Sequence, residues 1–354
     1  MKILGIETSC DETALSILDI EENENGVEVT VLANEILSQI ELHRPYGGVF
    51  PKLAKREHQK NLDPILKVVL EKASFSTTEK PPIDAVAVTQ GPGLEMCLWT
   101  GIVFAKELAE KWKVPVIPVN HMEGHILVSL MRKIGEASQY IIIEPELPAL
   151  SLLISGGHTE LVLIRKVGKY EIIGKTRDDA VGECFDKTAR LLGLPYPGGP
   201  EISKFASEAR KKNITLEKPL PRPMIDSKDL DFSFSGLKTS VLYATKDKNL
   251  SPDDIKKYAR EIEEAITDVI TNKVEKAIEE YSIESLIIGG GVIANTFIRS
   301  ALQKVADSFD IPLYLPHISH STDNALMIAL AGYFNLKNKH SKDFKAEGNQ
   351  SISK

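Results

Sequence analysis

Short apolar runs alternate with helical stretches along most of this chain, and that alternation predicts an α/β architecture in place of an all-helical or all-strand one. Strands are expected over residues 2–8, 14–20, 27–36, 84–89 and 114–120, the first two paired around a polar turn. Helices fill the gaps. Leu53, Leu62, Ile65, Leu66, Val69 and Leu70 repeat at helical spacing within 52–73, and a second helix is expected over 95–112.

The second half opens in the same way, with runs at 149–154, 160–167 and 170–174, the first two separated by Ser155-Gly156-Gly157-His158-Thr159. At the chain's start two runs flank Thr8-Ser9-Cys10-Asp11-Glu12-Thr13, so an internal duplication of a hairpin-led α/β unit is expected, giving two lobes. The best-marked helix begins at Ser251-Pro252-Asp253-Asp254, an N-cap followed by proline and a carboxylate at the third position. Its apolar stripe, from Ile255 through Ile262, Ile266, Val269 and Val274 to Ile278, requires a packed partner. Residues 134–148 are polar and broken by proline, as a lobe junction would be. From Asn335 on, lysines mix with Asn, Ser and Gly without periodicity, which reads as a solvated tail.

A length of 354 residues sets an expectation of about two domains, and 42% hydrophobic with 26% charged residues is ordinary globular composition. Cys10, Cys97 and Cys184 form no C-x-x-C pair, which excludes a disulfide framework and a zinc ribbon. No run approaches the ~18 apolar residues of a spanning helix, and the start lacks a signal-peptide core, so a cytoplasmic protein with no membrane partner is expected. A net charge of −7 disfavours wholesale polyanion binding but leaves RNA open through a local basic surface.

Residues 286–295 read as a buried strand entering Gly289-Gly290-Gly291 and then a helix, so main-chain amides can approach an anion or a flat base closely. Ser155-Gly156-Gly157 and Tyr196-Pro197-Gly198-Gly199-Pro200 are similar in kind, although each alone also serves as a tight turn. None fits the P-loop or the dinucleotide fingerprint. Asp11 and Glu12 sit in the first hairpin turn, as functional carboxylates or simply as turn residues. Asp186 lies on a helix, where pairing with Lys187 or Arg190 is the plainer reading. His121-Met122-Glu123-Gly124-His125 puts two imidazoles one helical turn apart, a chelating geometry that lacks the glutamate of a zincin. A bare pair of this kind also serves packing. Asp323 offers a third ligand or, equally, a helix cap.

Taken together, Gly5-Ile6-Glu7-Thr8-Ser9-Cys10-Asp11-Glu12-Thr13, His43-Arg44-Pro45-Tyr46-Gly47-Gly48-Val49, residues 120–125, Ser155-Gly156-Gly157-His158-Thr159, Phe232-Ser233-Phe234-Ser235-Gly236-Leu237-Lys238, residues 289–295 and Thr322-Asp323-Asn324 resemble the TsaD family, formerly named as an O-sialoglycoprotein endopeptidase. The resemblance spans residues 3–336. It implies the two-lobed fold of the actin-like ATPase, sugar kinase and heat-shock chaperone superfamily, with duplicated ribonuclease H-like lobes. The expected N-terminal lobe is 1–120 with 320–337, the C-terminal lobe 121–319 with helical insertions, and 338–354 a flexible tail. The implied activity is transfer of threonylcarbamoyl from threonylcarbamoyl-adenylate to N6 of adenosine 37 in tRNAs that read codons beginning with adenine, releasing AMP.

By the same resemblance, His121, His125 and Asp323 are metal ligands for one divalent ion per subunit, Fe(2+) first and Zn(2+) second. Leu153, Ile154, Ser155, Gly156, Gly157, Asp186, Gly199 and Asn295 hold the adenylate, and homologues of TsaB and TsaE are partners. Asp11 and Glu12 are the candidates for catalytic proton removal. Ser203 stands where some members have aspartate, Lys52 where glutamate is common, and Met96-Cys97-Leu98-Trp99 is bulkier than usual. For tRNA phosphates the chain offers Lys52, Lys55, Arg56 and Lys60, or Arg210, Lys211 and Lys212, although the ordinary reading of each run is a solvated helix face. Three rivals stand beside this reading: an ATPase or small-molecule kinase of the same superfamily, a metal-dependent endopeptidase, and a nucleotide-binding scaffold without turnover.

Overall fold

A computed structural model describes residues 1–24, 26–135, 138–336 and 344–353. In chain order the elements are β1 (Lys2–Glu7), β2 (Glu12–Asn23), β3 (Gly26–Ser38), α1 (Ile40–His43), α2 (Pro51–Lys72), β4 (Ala85–Gly91), α3 (Glu95–Trp112), β5 (Val116–Asn120), α4 (His121–Ser129), β6 (Met131–Lys133) and β7 (Gln139–Ile142). Then follow β8 (Ala149–Ile154), β9 (Thr159–Lys166), β10 (Lys169–Lys175), α5 (Val181–Leu191), α6 (Gly198–Lys211), α7 (Ser235–Thr245), α8 (Pro252–Tyr281), β11 (Ser285–Gly289), α9 (Thr296–Ser308), β12 (Leu313–Tyr314) and α10 (Ala325–Asn335). Among the described residues no helix is long and apolar enough to cross a membrane.

The chain divides into two compact units, the first formed by Met1–Leu42, Val49–Glu144 and Pro316–Ile352, the second mainly by Pro145–Leu315 with His43–Gly48. Each unit is built on one sheet. The first sheet has the order β5-β4-β1-β2-β3-β7-β6 and the second β10-β9-β8-β11-β12. In both, three consecutive antiparallel strands form a meander, and two later strands add in parallel on the far side of the meander's first strand. Read from β3 or from β10, the order is the same, so the expected duplication is present, and β6 and β7 are an extension of the first copy.

Burial explains the sequence pattern. In the first unit Leu4, Ile6, Leu15, Ile17, Val86 and Val88 face Leu62, Ile65 and Val69 of α2 and Leu98 and Ile102 of α3. The other face carries α10, apolar all round and buried through Gly332, as a helix must be when every side is covered. Gly5 makes that closeness possible: a Cβ there would collide with the Ala325 carbonyl oxygen and the Ala329 backbone. In the second unit Ala259, Ile262, Ile266, Val269, Ile270 and Val274 of α8 pack with Leu150, Leu152, Leu161, Leu286 and Ile288. The start of α8 carries the expected reciprocal cap between Ser251 and Asp254.

Two expectations of domain organisation need correction. The first boundary falls after Glu144, not at 120/121, because α4 packs on α10 and β7 pairs with β3, which ties 121–144 to the first sheet; the return falls at Pro316 instead of 320. The expected tail over 338–354 is also revised. Residues 338–343 and 354 lie outside the described residues, while Phe344 and Ala346 are buried in the first core and Ile352 is buried too.

Candidate functional site

The first unit gathers the histidine pair and the distant aspartate. Asn120, the last residue of β5, caps α4: its Oδ1 accepts hydrogen bonds from the amides of Met122 (3.0 Å) and Glu123 (3.3 Å). The helix therefore begins at His121, and both imidazoles project from one side, edge to face with ring centroids 4.7 Å apart. Asp323 arrives just before α10. It does not cap that helix; Asn324 does, accepting from the Met327 amide at 3.0 Å. Asp323 Oδ1 instead lies 3.4 Å from His121 Nε2 and 3.2 Å from His125 Nε2.

One ligand atom from each of the three residues lies within 4.8 Å of the other two. Metal–ligand bonds of about 2.0–2.1 Å at tetrahedral angles put ligand atoms roughly 3.3 Å apart, so this donor set fits a small divalent cation. The surroundings fit as well. Glu7, fully buried at the end of β1, lies 3.0 Å from His121 Nδ1 through Oε2 and accepts from Thr89 Oγ1 at 2.6 Å and from the Ser9 amide at 2.5 Å. A carboxylate behind a histidine fixes the ring's tautomer and turns the other nitrogen toward a metal.

Electrostatics point the same way. Burial alone would raise the Asp323 carboxyl, but the two imidazoles outweigh it and hold the group far below the usual carboxylate range. Burial likewise opposes, and His121 reverses, the shift at Glu7, which is held low. At His121 burial favours the neutral ring, yet Asp323 and Glu7 on either side push it well up. Burial keeps His125 below its usual value.

The turn between β1 and β2 stands beside this cluster. His58 pins it, with Nε2 3.0 Å from the Cys10 carbonyl oxygen and Nδ1 2.8 Å from Thr13 Oγ1. Asp11 is buried, and its carbonyl accepts from the Gln39 amide at 2.9 Å. Burial, and then the charges of Asp11 and Asp323, push the Glu12 carboxyl well up. Asp11 and Glu12 thus belong to the same electrostatic neighbourhood as the three ligand residues.

The expected adenylate residues form a chain of neighbours within the second unit. Leu153 and Ile154 are buried at the end of β8, and Ser155, Gly156 and Gly157 make the turn into β9. Gly290, at φ +96°, presses on the Ile154 carbonyl so closely that a Cβ would not fit. Gly182, in the first turn of α5, meets the Ser155 carbonyl, where an added Cβ would lie 2.7 Å away. Further along α5, Asp186 Oδ1 accepts from the Gly198 amide at 2.7 Å, beside Gly199 at the start of α6. Lys187 pairs with Asp179 (2.7 Å) and Glu183 (2.8 Å), not with Asp186.

Asn295 caps α9 through Oδ1 and donates its amide to the fully buried Glu263 at 2.5 Å. Glu263 also faces Arg210 at 2.6 Å, and the Arg210 guanidinium lies 3.5 Å over the Phe297 ring. Arg210 is therefore committed internally, which overturns the expectation that it meets tRNA phosphate; its partners are more than fifty residues away in sequence. Glu7, Asn120 and Glu263 were not singled out by sequence reasoning. A glutamate closing an apolar strand and an asparagine preceding a histidine helix were the available signals for the first two.

Residues 30–330 match the TsaD family, described as tRNA N6-adenosine threonylcarbamoyltransferase. Over 350 residues the chain is 40% identical to a protein of that description from Thermosipho africanus (strain TCF52B), covering 98% of each chain. Among solved structures it is similar to component A of the Acidaminococcus fermentans (R)-2-hydroxyglutaryl-CoA dehydratase, at a TM-score of 0.52 and 12% identity, covering 95% of this chain and 98% of that one. That likeness concerns the fold alone, the duplicated α/β arrangement described above.

Proposed function

Because the chain belongs to the TsaD family of tRNA N6-adenosine threonylcarbamoyltransferases, we propose that it takes the threonylcarbamoyl group from threonylcarbamoyl-adenylate and passes it to N6 of adenosine 37 in tRNAs that read codons beginning with adenine. The observation that carries this reading is the convergence of His121, His125 and Asp323, backed by Glu7, in a chain so similar to an enzyme of that name.

The chemistry follows from the groups involved. An exocyclic adenine amine is a weak nucleophile, so the donor must be activated as a mixed anhydride. The new bond joins N6 to the carbamoyl carbon, the bond from that carbon to the phosphate oxygen breaks, AMP leaves, and one N6 proton is lost. Backbone amides of Gly156, Gly157 and the loop after Gly289 bind the adenylate, since glycine loops leave main-chain donors bare, while the Ser155 amide closes the turn on the His158 carbonyl. Asp186, through Gly198, fixes the loop that carries Gly199, and Glu263 fixes Asn295. Asp11 or Glu12 accepts the proton or orients the amine, a role supported by their place in the turn beside His121 and Asp323, where burial and neighbouring carboxylates raise the Glu12 carboxyl.

His121, His125 and Asp323 would hold a divalent ion, Fe(2+) first and Zn(2+) second; once bound, it would supply a fixed positive charge for Lewis-acid chemistry. TsaB and TsaE homologues are the proposed partners, and cytoplasm the proposed compartment. A protein partner is supported by α3, which leaves Trp99 and Val103 exposed one turn apart. Exposed Lys52, Lys55, Arg56 and Lys60 on α2 remain the proposed phosphate contacts.

The test is reconstitution of the purified chain with both partners, threonylcarbamoyl-adenylate and unmodified tRNA, read by nucleoside mass spectrometry. Modified adenosine and AMP in equal amounts are expected. ADP formed from ATP without tRNA, with no modified nucleoside, would select the kinase or ATPase reading instead.

A further inference from the structure

The segment 344–352 lies along the first unit in contacts that a loose tail would not make. Lys106 Nζ donates to the Phe344 carbonyl at 3.2 Å and stands 4.7 Å over the Phe344 ring, anchoring one end. The Glu347 amide donates to Gln90 O at 2.9 Å, Gln90 Nε2 returns a bond to Glu347 Oε1 at 3.0 Å, and the Gly93 amide donates to Gly348 O at 3.0 Å. Gly91 is shaped to this segment: a Cβ there would collide with the Glu347 carbonyl oxygen. At the far end Asn120 Nδ2 donates to Gln350 Oε1 and to Ser351 O, each at 3.3 Å.

We propose that residues 344–352 are a positioning strap for the candidate metal helix, acting on His121 from two sides through Asn120 and through the 91–94 loop. An asparagine side-chain amide is planar and rigid, so fixing Nδ2 also fixes the direction of Oδ1. In Asn120 that oxygen caps α4 at Met122 and Glu123, and it thereby sets where His121 and His125 project. The second route runs from Gly348 through Gly93 to Leu94, whose amide donates to Ser9 O at 2.7 Å; the Ser9 amide in turn donates to Glu7, the carboxylate behind His121. Gln350 is thus a positioning residue, and it touches no ligand itself. The proposal rests on the reading of His121, His125 and Asp323 as ligands only for its effect on the ion.

Three variants of the full chain test it: removal of residues 344–354, Gly91→Ala to expel the strap, and Gln350→Ala to take away one bond to Asn120. Amide exchange of Met122 and Glu123 is measured on metal-free protein, and Co(2+) affinity by titration. Removal and Gly91→Ala should each speed exchange at both amides by about tenfold and weaken Co(2+) by about tenfold, with Gln350→Ala between them and the intact chain. Combining removal with Gly91→Ala should add nothing, and a synthetic 344–354 peptide should restore the shortened chain but not the Gly91→Ala variant. If the shortened chain does not fold, Gly91→Ala and Gln350→Ala decide alone. Unchanged Met122 and Glu123 exchange in folded variants overturns the strap. If exchange responds but the intact chain binds no Co(2+), the strap stands and the ligand reading fails.

Discussion

The two units place the same corner of the same sheet under different chemistry. In the first, the glycine after β4, Gly93, crowds Ser9 just beyond β1; in the second, the glycine after β11, Gly290, crowds Ile154 at the end of β8. Both have positive φ and both close a loop onto the meander's first strand. Around Gly93 stand Glu7, Asp11, Glu12 and the His121 helix, a cluster of buried charge. Around Gly290 stand Ser155, Gly156, Gly157 and Gly182, with no ligating cluster among the described residues. Duplication supplied the scaffold twice, and side chains then filled one corner with a His-His-Asp donor set and left the other a backbone surface lined by glycines.

Each side of that comparison can be perturbed alone. The largest effect is expected from Asp323→Ala or His125→Ala: Co(2+) binding should disappear and threonylcarbamoyl transfer fall on the order of 10³-fold, while AMP affinity stays within about twofold. A parallel loss of AMP binding would show that the corners are not separable. Next come the paired glycines. Gly290→Ala should weaken AMP by about tenfold or more and spare Co(2+), and Gly93→Ala should do the reverse, since each forces a Cβ into strained backbone against the neighbouring strand. Equal effects on both ligands would collapse the distinction.

The smallest effect concerns Glu12. Burial and the neighbouring carboxylates raise its carboxyl well above the usual value, so between the unfolded and folded values the folded chain holds more protons and loses stability as pH rises. Glu12→Gln should therefore melt later than the parent at pH 8 in metal-free protein, by ~2 °C, with the gap closing as pH falls toward the usual carboxylate range. A gap independent of pH would mean that Glu12 carries no such penalty.

Periodicity made most of the scaffold legible. The strands of both meanders, α2, α3 and the capped start of α8 follow from local pattern, because each buries a regular stripe against a sheet. The short edge strands β6 and β7 did not, since Arg132 and Lys133 give no apolar signal, Tyr140-Ile141-Ile142 is a brief run in a polar stretch, and the strands form by pairing of β7 with β3 and of β6 with β7. Residues 344–352 were illegible for a related reason: Phe344, Ala346 and Ile352 have no period of their own, and Phe344 and Ala346 become buried only in the core that β4 and α3 line. At the site, the His121 and His125 spacing was readable, but Asp323 was indistinguishable from a cap until Asn324 was seen to do that work. Arg210 misled because a basic run looks solvated when its partner, Glu263, is far along the chain.

Asp323 lies 198 residues after His125, on the approach to α10, and all of the second unit's Pro145–Leu315 is made in between. At ribosomal speeds of about 5–20 residues per second, a growing chain exposes two imidazoles without their carboxylate for roughly 10–40 s. Capture of the proposed ion would consequently be a late event of biosynthesis. The donor set is complete only when the polypeptide returns to its first sheet, and chains stalled before Pro316 should emerge with the two imidazoles and no Asp323 between them, and so should bind Co(2+) more weakly than the full chain.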